Sequence, residues 1–277
     1  MAKIHELPAA SATELANSSL VVDTGAATKR IPYADIASAV EVNDLAKSLA
    51  GYNGKDLGQS YTPATFQAKV LSGDFSGLSL GDYFDITLTT GEQIRAVISG
   101  FNPYLNFGDT QLTANHVIMT FLDCMKDTMQ MNTSNTNTGG YAASLAPAKM
   151  EAILATFPTE WKAVMRSIRR LENNKGTWAW ASRTLFLLSE TEVHGHPNWA
   201  TDGYDGGTRP LPLYQYSARY RIKGLGFGSS AKGSRCNWWL ASPSSAYTTC
   251  FCYVGSYGGS NNDYASNSFG VAPGFCI

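Results

Sequence analysis

"SYGGSNNDYASNSFG", Ser256 to Gly270, runs directly into "VAPGFCI", Val271 to Ile277. The first stretch is Gly, Ser, Asn, Asp and aromatic rings, a loop-like composition rich in hydrogen-bonding groups. The second is apolar and strand-like. A polar segment set beside an apolar closing segment reads as a loop anchored at both ends, with its last residues pinned into a sheet. Versatile side chains on a rigid frame are how binding loops are built.

Working upstream, "CNWWLASP" and "CFCYV" read as short strands that alternate with Gly/Ser/Asn loops. In a strand Trp238 and Trp239 point to opposite faces. The expectation is one core Trp and one partly exposed Trp that props the loop. Cys252 and Cys276 read as core positions in adjacent strands. "RTLFLLSETEV" reads as a buried strand leading into an exposed turn. "APAKMEAILATF" and "PTEWKAVMRSIRRL" carry helical spacing: Met150, Ile153, Leu154 and Phe157 in the first, Trp161, Val164, Met165 and Ile168 in the second. "GDYFDITLTTGEQIRAVISGFN" alternates on both sides of a turn and predicts a hairpin. "NHVIMTFLD" predicts a further strand, and "TPATFQAKVLSGDFSGL" a short helix. A hairpin, two helices, then many short strands define an α+β class.

Before residue 61 the pattern differs. Residues 1–33 read as a small β module, with an apolar run at Leu20 to Val22, a polar Asp-Thr-Gly turn and a return strand ending at Pro32. Residues 34–60 read as a short helix, with Ile36, Val40, Leu45 and Leu49 at helical spacing, and a linker. The main domain is expected over 61–277.

Of the 277 residues 44% are hydrophobic, so a sizeable core is expected. Only 16% are charged and the net charge is −1, which gives no broad attraction to nucleic-acid backbones or anionic membranes. No signal peptide and no membrane-spanning stretch is visible. The cysteines, Cys124, Cys236, Cys250, Cys252 and Cys276, lack zinc spacing and read as reduced thiols of a protein made in the cytosol. "SETEVHGH" carries Glu190, Glu192, His194 and His196, but as an exposed turn rather than a metal site. "GLGFGSS", Gly224 to Ser230, lacks the Lys-Ser/Thr ending of a phosphate loop. No catalytic constellation stands out, and neither a cofactor nor a metal is expected.

The candidate contact residues are Arg235, Asn237, Tyr247, Cys250, Tyr253, Tyr257, Ser260, Asn261, Asn262, Asp263, Tyr264 and Phe269. Tyr rings bring large contact area at low entropic cost, and Asn, Ser and Asp supply adaptable hydrogen bonds.

In order along the chain, "LSLGDYFDITL", "ANHVIM", "MNTSNTNTGGYAAS", "LFLLSETEV", "RIKG", "WWLASP", "FCYV" and "YASNSFGVAPGFCI" resemble a domain marked by a WWLRSP-type motif and a GVRPAF-type ending. That domain is similar to the C-type-lectin-fold variable proteins of diversity-generating retroelements and to the formylglycine-generating-enzyme fold. Ala241 and Ala272 stand where those motifs carry Arg, and the calcium-binding triplets of sugar-binding lectins are absent. "IHELPAASATELANSSLVVDTGAATKRIPYADI" resembles the leading module of phage tail and fibre proteins. The resemblance implies a virion protein, a phage receptor-binding or tail-tip protein that binds a bacterial surface receptor, protein or glycan. It implies docking to other tail proteins through residues 1–33 and a homo-oligomer, a trimer by the axial symmetry of fibres. The alternatives are a structural fibre-tip protein with no receptor and, more remotely, an oxidase of the formylglycine-generating type. For the oxidase, the Cys250-x-Cys252 pair is a poor match.

Overall fold

In the computed structural model, side chains are described for residues 54–175, 177–201, 209–224, 226 and 234–277, and backbone alone for 19–23 and 28–32. The chain divides into two compact units, Met1–Tyr52 and Asn53–Ile277. In the first, β1 (Ser19–Asp23) pairs antiparallel with β2 (Thr28–Pro32), with Leu20 opposite Ile31 and Asp23 opposite Thr28. The helix read at 36–49 lies outside the described residues. The second unit starts ahead of residue 61, because Leu57 in the stretch read as linker is sealed in the core.

In this second unit α1 (Pro63–Leu71) opens with Thr62 and Thr65 capping each other and Pro63 in its first turn. Strands β3 (Tyr83–Thr87) and β4 (Gln93–Phe101) form the expected hairpin, with Phe84 opposite Ala96 and Ile86 opposite Ile94. β5 (Val117–Phe121) continues the sheet, and α2 (Ala146–Ala155) buries Met150 and Ile153.

The second expected helix shrinks to one turn, Thr159–Lys162, and Ile168–Asn173 becomes strand β6, paired with β7 (Trp178–Arg183). Trp161, Val164 and Met165 are buried as the spacing requires, but the Arg166 N–H donates to the Cys276 carbonyl and straightens the chain. β8 (Leu185–Phe186) leads not to an exposed turn but to α3 (Glu190–His194), a short helix that is buried throughout. There follow α4 (Pro212–Tyr216), β9 (Lys223–Gly224), β10 (Arg235–Cys236), β11 (Trp238–Pro243), β12 (Cys250–Val254), β13 (Ser260–Tyr264) and β14 (Gly274–Cys276).

The architecture is mixed α+β with antiparallel sheets and few helices. One sheet runs β3-β4-β5-β14-β8, so the closing strand lies in its interior, hydrogen-bonded on both sides. Phe275 meets Phe157 and Trp161 edge-on, at 5.8 and 6.3 Å between ring centroids. Trp161 meets Phe84 at 5.0 Å, and Phe84 meets Phe66 at 5.1 Å. This chain of rings joins α1, the hairpin and β14 into one core, each edge-on pair adding about 0.5–1.5 kcal/mol beyond burial.

A second sheet runs β11-β12-β13. Cys252 and Cys276 are both fully buried but lie in different sheets, not in adjacent strands. Trp238 and Trp239 are both fully buried. Their side chains do separate: Trp238 stacks toward Tyr214, and Trp239 packs under Tyr253 and Phe269. Both faces of β11 are covered, so neither ring is left partly exposed.

Candidate ligand-binding surface

Ser256–Gly270 is less loop than its composition suggests. Residues 260–264 are β13, which pairs with β12 in an unbroken register: Val254 opposite Ser260, Tyr253 opposite Asn261, Cys252 opposite Asn262, Phe251 opposite Asp263 and Cys250 opposite Tyr264. Strand side chains alternate, so Ser260, Asn262 and Tyr264 leave one face and Asn261 and Asp263 the other. The twelve expected contact residues therefore do not form one patch.

The turn of the hairpin carries Tyr257, 80% exposed. Gly258 makes that turn possible at φ +84°, where its N–H donates to the Gly255 carbonyl at 2.7 Å. The Arg235 guanidinium lies 5.1 Å from the Tyr257 ring centroid, a cation–π distance. Asn237 fixes the same turn through its Oδ1, which accepts the Ser256 N–H at 2.9 Å. Arg235, Asn237 and Tyr257 thus belong together.

At the far end of the hairpin stand Tyr264, 51% exposed, and Tyr247, 52% exposed. Four strand steps separate Ser260 from Tyr264, roughly 14 Å. Between the two ends, Tyr253 is only 9% exposed, sandwiched against Trp239 at 6.1 Å and Phe269 at 4.8 Å. Burial, and then the Asp263 carboxylate, push the Tyr253 phenol up. Cys250 is buried as well, so neither Cys250 nor Tyr253 is free to be a primary contact. Phe269 is half-buried, and its ring lies 4.5 Å from that of Trp239.

The supports of this surface were missed in the sequence. Asn137 is fully buried, and its Nδ2 reaches the carbonyls of Ser244 at 3.2 Å, Tyr247 at 2.8 Å and Cys250 at 2.8 Å. It clamps the loop that carries Tyr247. Glu190 is fully buried, with Oε2 accepting the N–H groups of Asn198, Trp199 and Ala200 at 2.9, 2.9 and 2.8 Å. The Ser260 hydroxyl donates to its other oxygen. One carboxylate therefore ties α3, the 198–200 segment and β13 together. Ser189 and Glu192 cap α3 reciprocally, and the S-x-x-E spelling of "SETE" was the available signal.

Glu192 also takes the Arg170 guanidinium in a fork, at 2.8 and 2.7 Å, and accepts the Tyr104 hydroxyl. Burial works to lower the Arg170 pKa, but Glu192 outweighs it and the net shift is upward. Arg170 lines a small cleft, partly open to solvent, together with Tyr141, Glu172, Asn173, Ser189 and Ser242. Its charges are already matched, since Arg183 forks onto Glu172 at 2.7 and 2.9 Å. Among the described residues no three His, Cys, Asp or Glu side chains gather as metal ligands, and no helix is long and apolar enough to cross a membrane.

Fold and surface together define an antiparallel α+β domain that displays separated tyrosines on a buried polar scaffold. Residues 108–277 match the model of a family described as Domain of unknown function (DUF6273), and the chain belongs to that family. No curated protein and no solved structure matches the chain.

Proposed function

We propose that the chain is a phage receptor-binding or tail-tip adhesion protein, with a C-type-lectin-like domain over its C-terminal part. The β12–β13 face binds a bacterial surface molecule by recognition rather than catalysis. The observation that carries this reading is the exposure of Tyr257 at one end of the β12–β13 hairpin and of Tyr247 and Tyr264 at the other, with every residue of β12 buried between them. Tyrosine rings held on a rigid frame offer large contact area at low entropic cost. Two ends roughly 14 Å apart suit an extended ligand such as a glycan chain or a protein face. Each site binds weakly, and several copies on one particle convert that into firm attachment.

The test is retention of labelled protein on a panel of bacterial strains. Replacing Tyr257 and Tyr264 together with Ala should weaken retention at least about tenfold and leave the melting temperature nearly unchanged. Equal loss of folding and binding would count against a surface role.

A second reading, a structural fibre-tip protein, is favoured by β13 itself. Among the described residues β13 pairs only with β12, and an open strand edge is a template for another chain. On that reading the tyrosine variant keeps any cell adsorption of the assembled particle.

A further inference from the structure

All five cysteines are free thiols, but they are not equivalent. Cys250, Cys252 and Cys276 sit buried in strands. Cys124 and Cys236, distant in sequence, face each other with their Sγ atoms 3.0 Å apart. That is about 1 Å longer than a covalent S–S bond. The backbone holds them there. Cys236 lies in β10 opposite Lys223 of β9. The Cys124 N–H donates to the Gly224 carbonyl at 3.2 Å, and the Asp123 carboxylate accepts the Gly224 N–H at 2.8 Å. The Cys236 sulfur reaches the same Gly224 carbonyl at 3.2 Å.

The two thiols differ in access and in charge environment. Cys124 is buried and Cys236 is half-exposed. The hydrogen bond with Cys124, aided by the Lys223 cation, holds the Cys236 thiol below the ordinary range, against burial and the nearby Asp123 carboxylate. Burial pushes Cys124 well above it. Lys223 is itself buried, with its ammonium donating to the carbonyls of Phe121 at 2.5 Å and Leu122 at 3.1 Å. A reachable, acidified thiol beside a sequestered partner is the arrangement of an attacking and a resolving cysteine.

We propose that Cys124 and Cys236 form a redox-active pair that closes to a disulfide by exchange with a small disulfide of the glutathione type. The Cys236 thiolate attacks one sulfur of the small disulfide, forming a mixed disulfide and releasing one thiolate. Cys124 gives up its proton and attacks the Cys236 sulfur. The Cys124–Cys236 bond forms, the mixed disulfide breaks, and the second small thiolate leaves. The protein loses two electrons and two protons, and the small disulfide becomes two thiols. The bond would join the exit of β5 to β10, whose Arg235 faces Tyr257. Closure therefore acts on the hairpin-turn end of the exposed surface and leaves the Tyr247–Tyr264 end untouched.

The test uses the full chain, folded and fully reduced, incubated with oxidised glutathione at mildly alkaline pH. The reaction is quenched with acid, and the protein is alkylated and digested without reduction. The expected result is a peptide linking Cys124 to Cys236, an intact mass lower by two hydrogen atoms, and three thiols still alkylated after unfolding. Cys124→Ser should stop at a glutathionyl adduct on Cys236, and Cys236→Ser should form neither product. Cys124 and Cys236 both left as free thiols in the wild type, a link through any other cysteine, or a wild-type adduct that stays on Cys236 would each overturn the proposal. Should a variant fail to fold, the wild-type map decides alone.

Discussion

Replacing Glu190 with Ala is expected to cost about 3–5 kcal/mol, and the figure comes from what the carboxylate holds. Its Oε2 accepts three backbone N–H groups at 2.8–2.9 Å, and its other oxygen accepts the Ser260 hydroxyl. Truncation orphans three donors in a partly to fully buried site, each at about 1–3 kcal/mol. Removing a buried charge returns some of that, because the charge no longer has to be desolvated. Glu190→Gln keeps the shape and an acceptor for the three N–H groups, while its amide can donate to the Ser260 hydroxyl. It loses only the charge assistance, so its cost should be smaller, about 1–3 kcal/mol. Urea unfolding followed by tryptophan fluorescence gives both values, and hydrogen exchange gives the location. In the Ala variant the amides of residues 198–200 should lose protection first. An Ala variant within about 1 kcal/mol of wild type, or 198–200 amides that stay protected, would refute the claim that this carboxylate organises the region.

Trp239→Ala should destabilise by about 3–5 kcal/mol, since the ring is fully buried and its Nε1–H donates to the Met129 carbonyl at 2.9 Å; a melting temperature within a degree or so of wild type would contradict this packing. Asn137→Ala should cost about 2–3 kcal/mol and expose the 244–250 loop to proteolysis, because three carbonyls lose one donor. Burial, and then Arg221, hold the His194 imidazole down to about 4, whereas an unfolded histidine titrates near 6.5. Between those values the unfolded chain binds more protons, so stability should fall by about 3 kcal/mol as pH drops from about 6.5 to about 4, and level off below. His194→Phe should flatten much of that slope in denaturation series across pH. His116, also lowered by burial, adds a part in the same direction.

The elements legible in the sequence are those whose apolar period has one solution. Phe84 and Ile86 against Ile94 and Ala96 read as a hairpin, and the structure pairs them so. Val271–Ile277 reads as a pinned strand for the same reason. Trp161, Val164, Met165 and Ile168 satisfy a helical period, yet Ile168 belongs to a strand, because a distant carbonyl of Cys276 captures the Arg166 N–H. β13 is unreadable for a different cause. "SNNDY" has little strand propensity, and its pairing is imposed by β12.

The surface follows the same division. Exposure of Tyr247, Tyr257 and Tyr264 was foreseeable from their polar neighbours, whereas burial of Tyr253 depends on Trp239 and Phe269 arriving from other segments. Glu190 and Glu192 looked solvated because charge usually is. Their partners are backbone groups and Arg170, which no local pattern discloses. The thiol pair at Cys124 and Cys236 is equally invisible, since it is made by tertiary contact alone.

The two-residue rhythm of β13 has a practical corollary for testing the proposed binding surface by diversification. Codons for Asn261 and Asp263 are the first to vary in a combinatorial library, since their side chains leave the sheet on the side away from Ser260 and their hydrogen bonds are local ones to the next residue. Ser260 should be held constant, because its hydroxyl is fastened to a carboxylate in the interior. A library that holds Ser260 constant keeps the tie to Glu190, and one that varies it loses that tie.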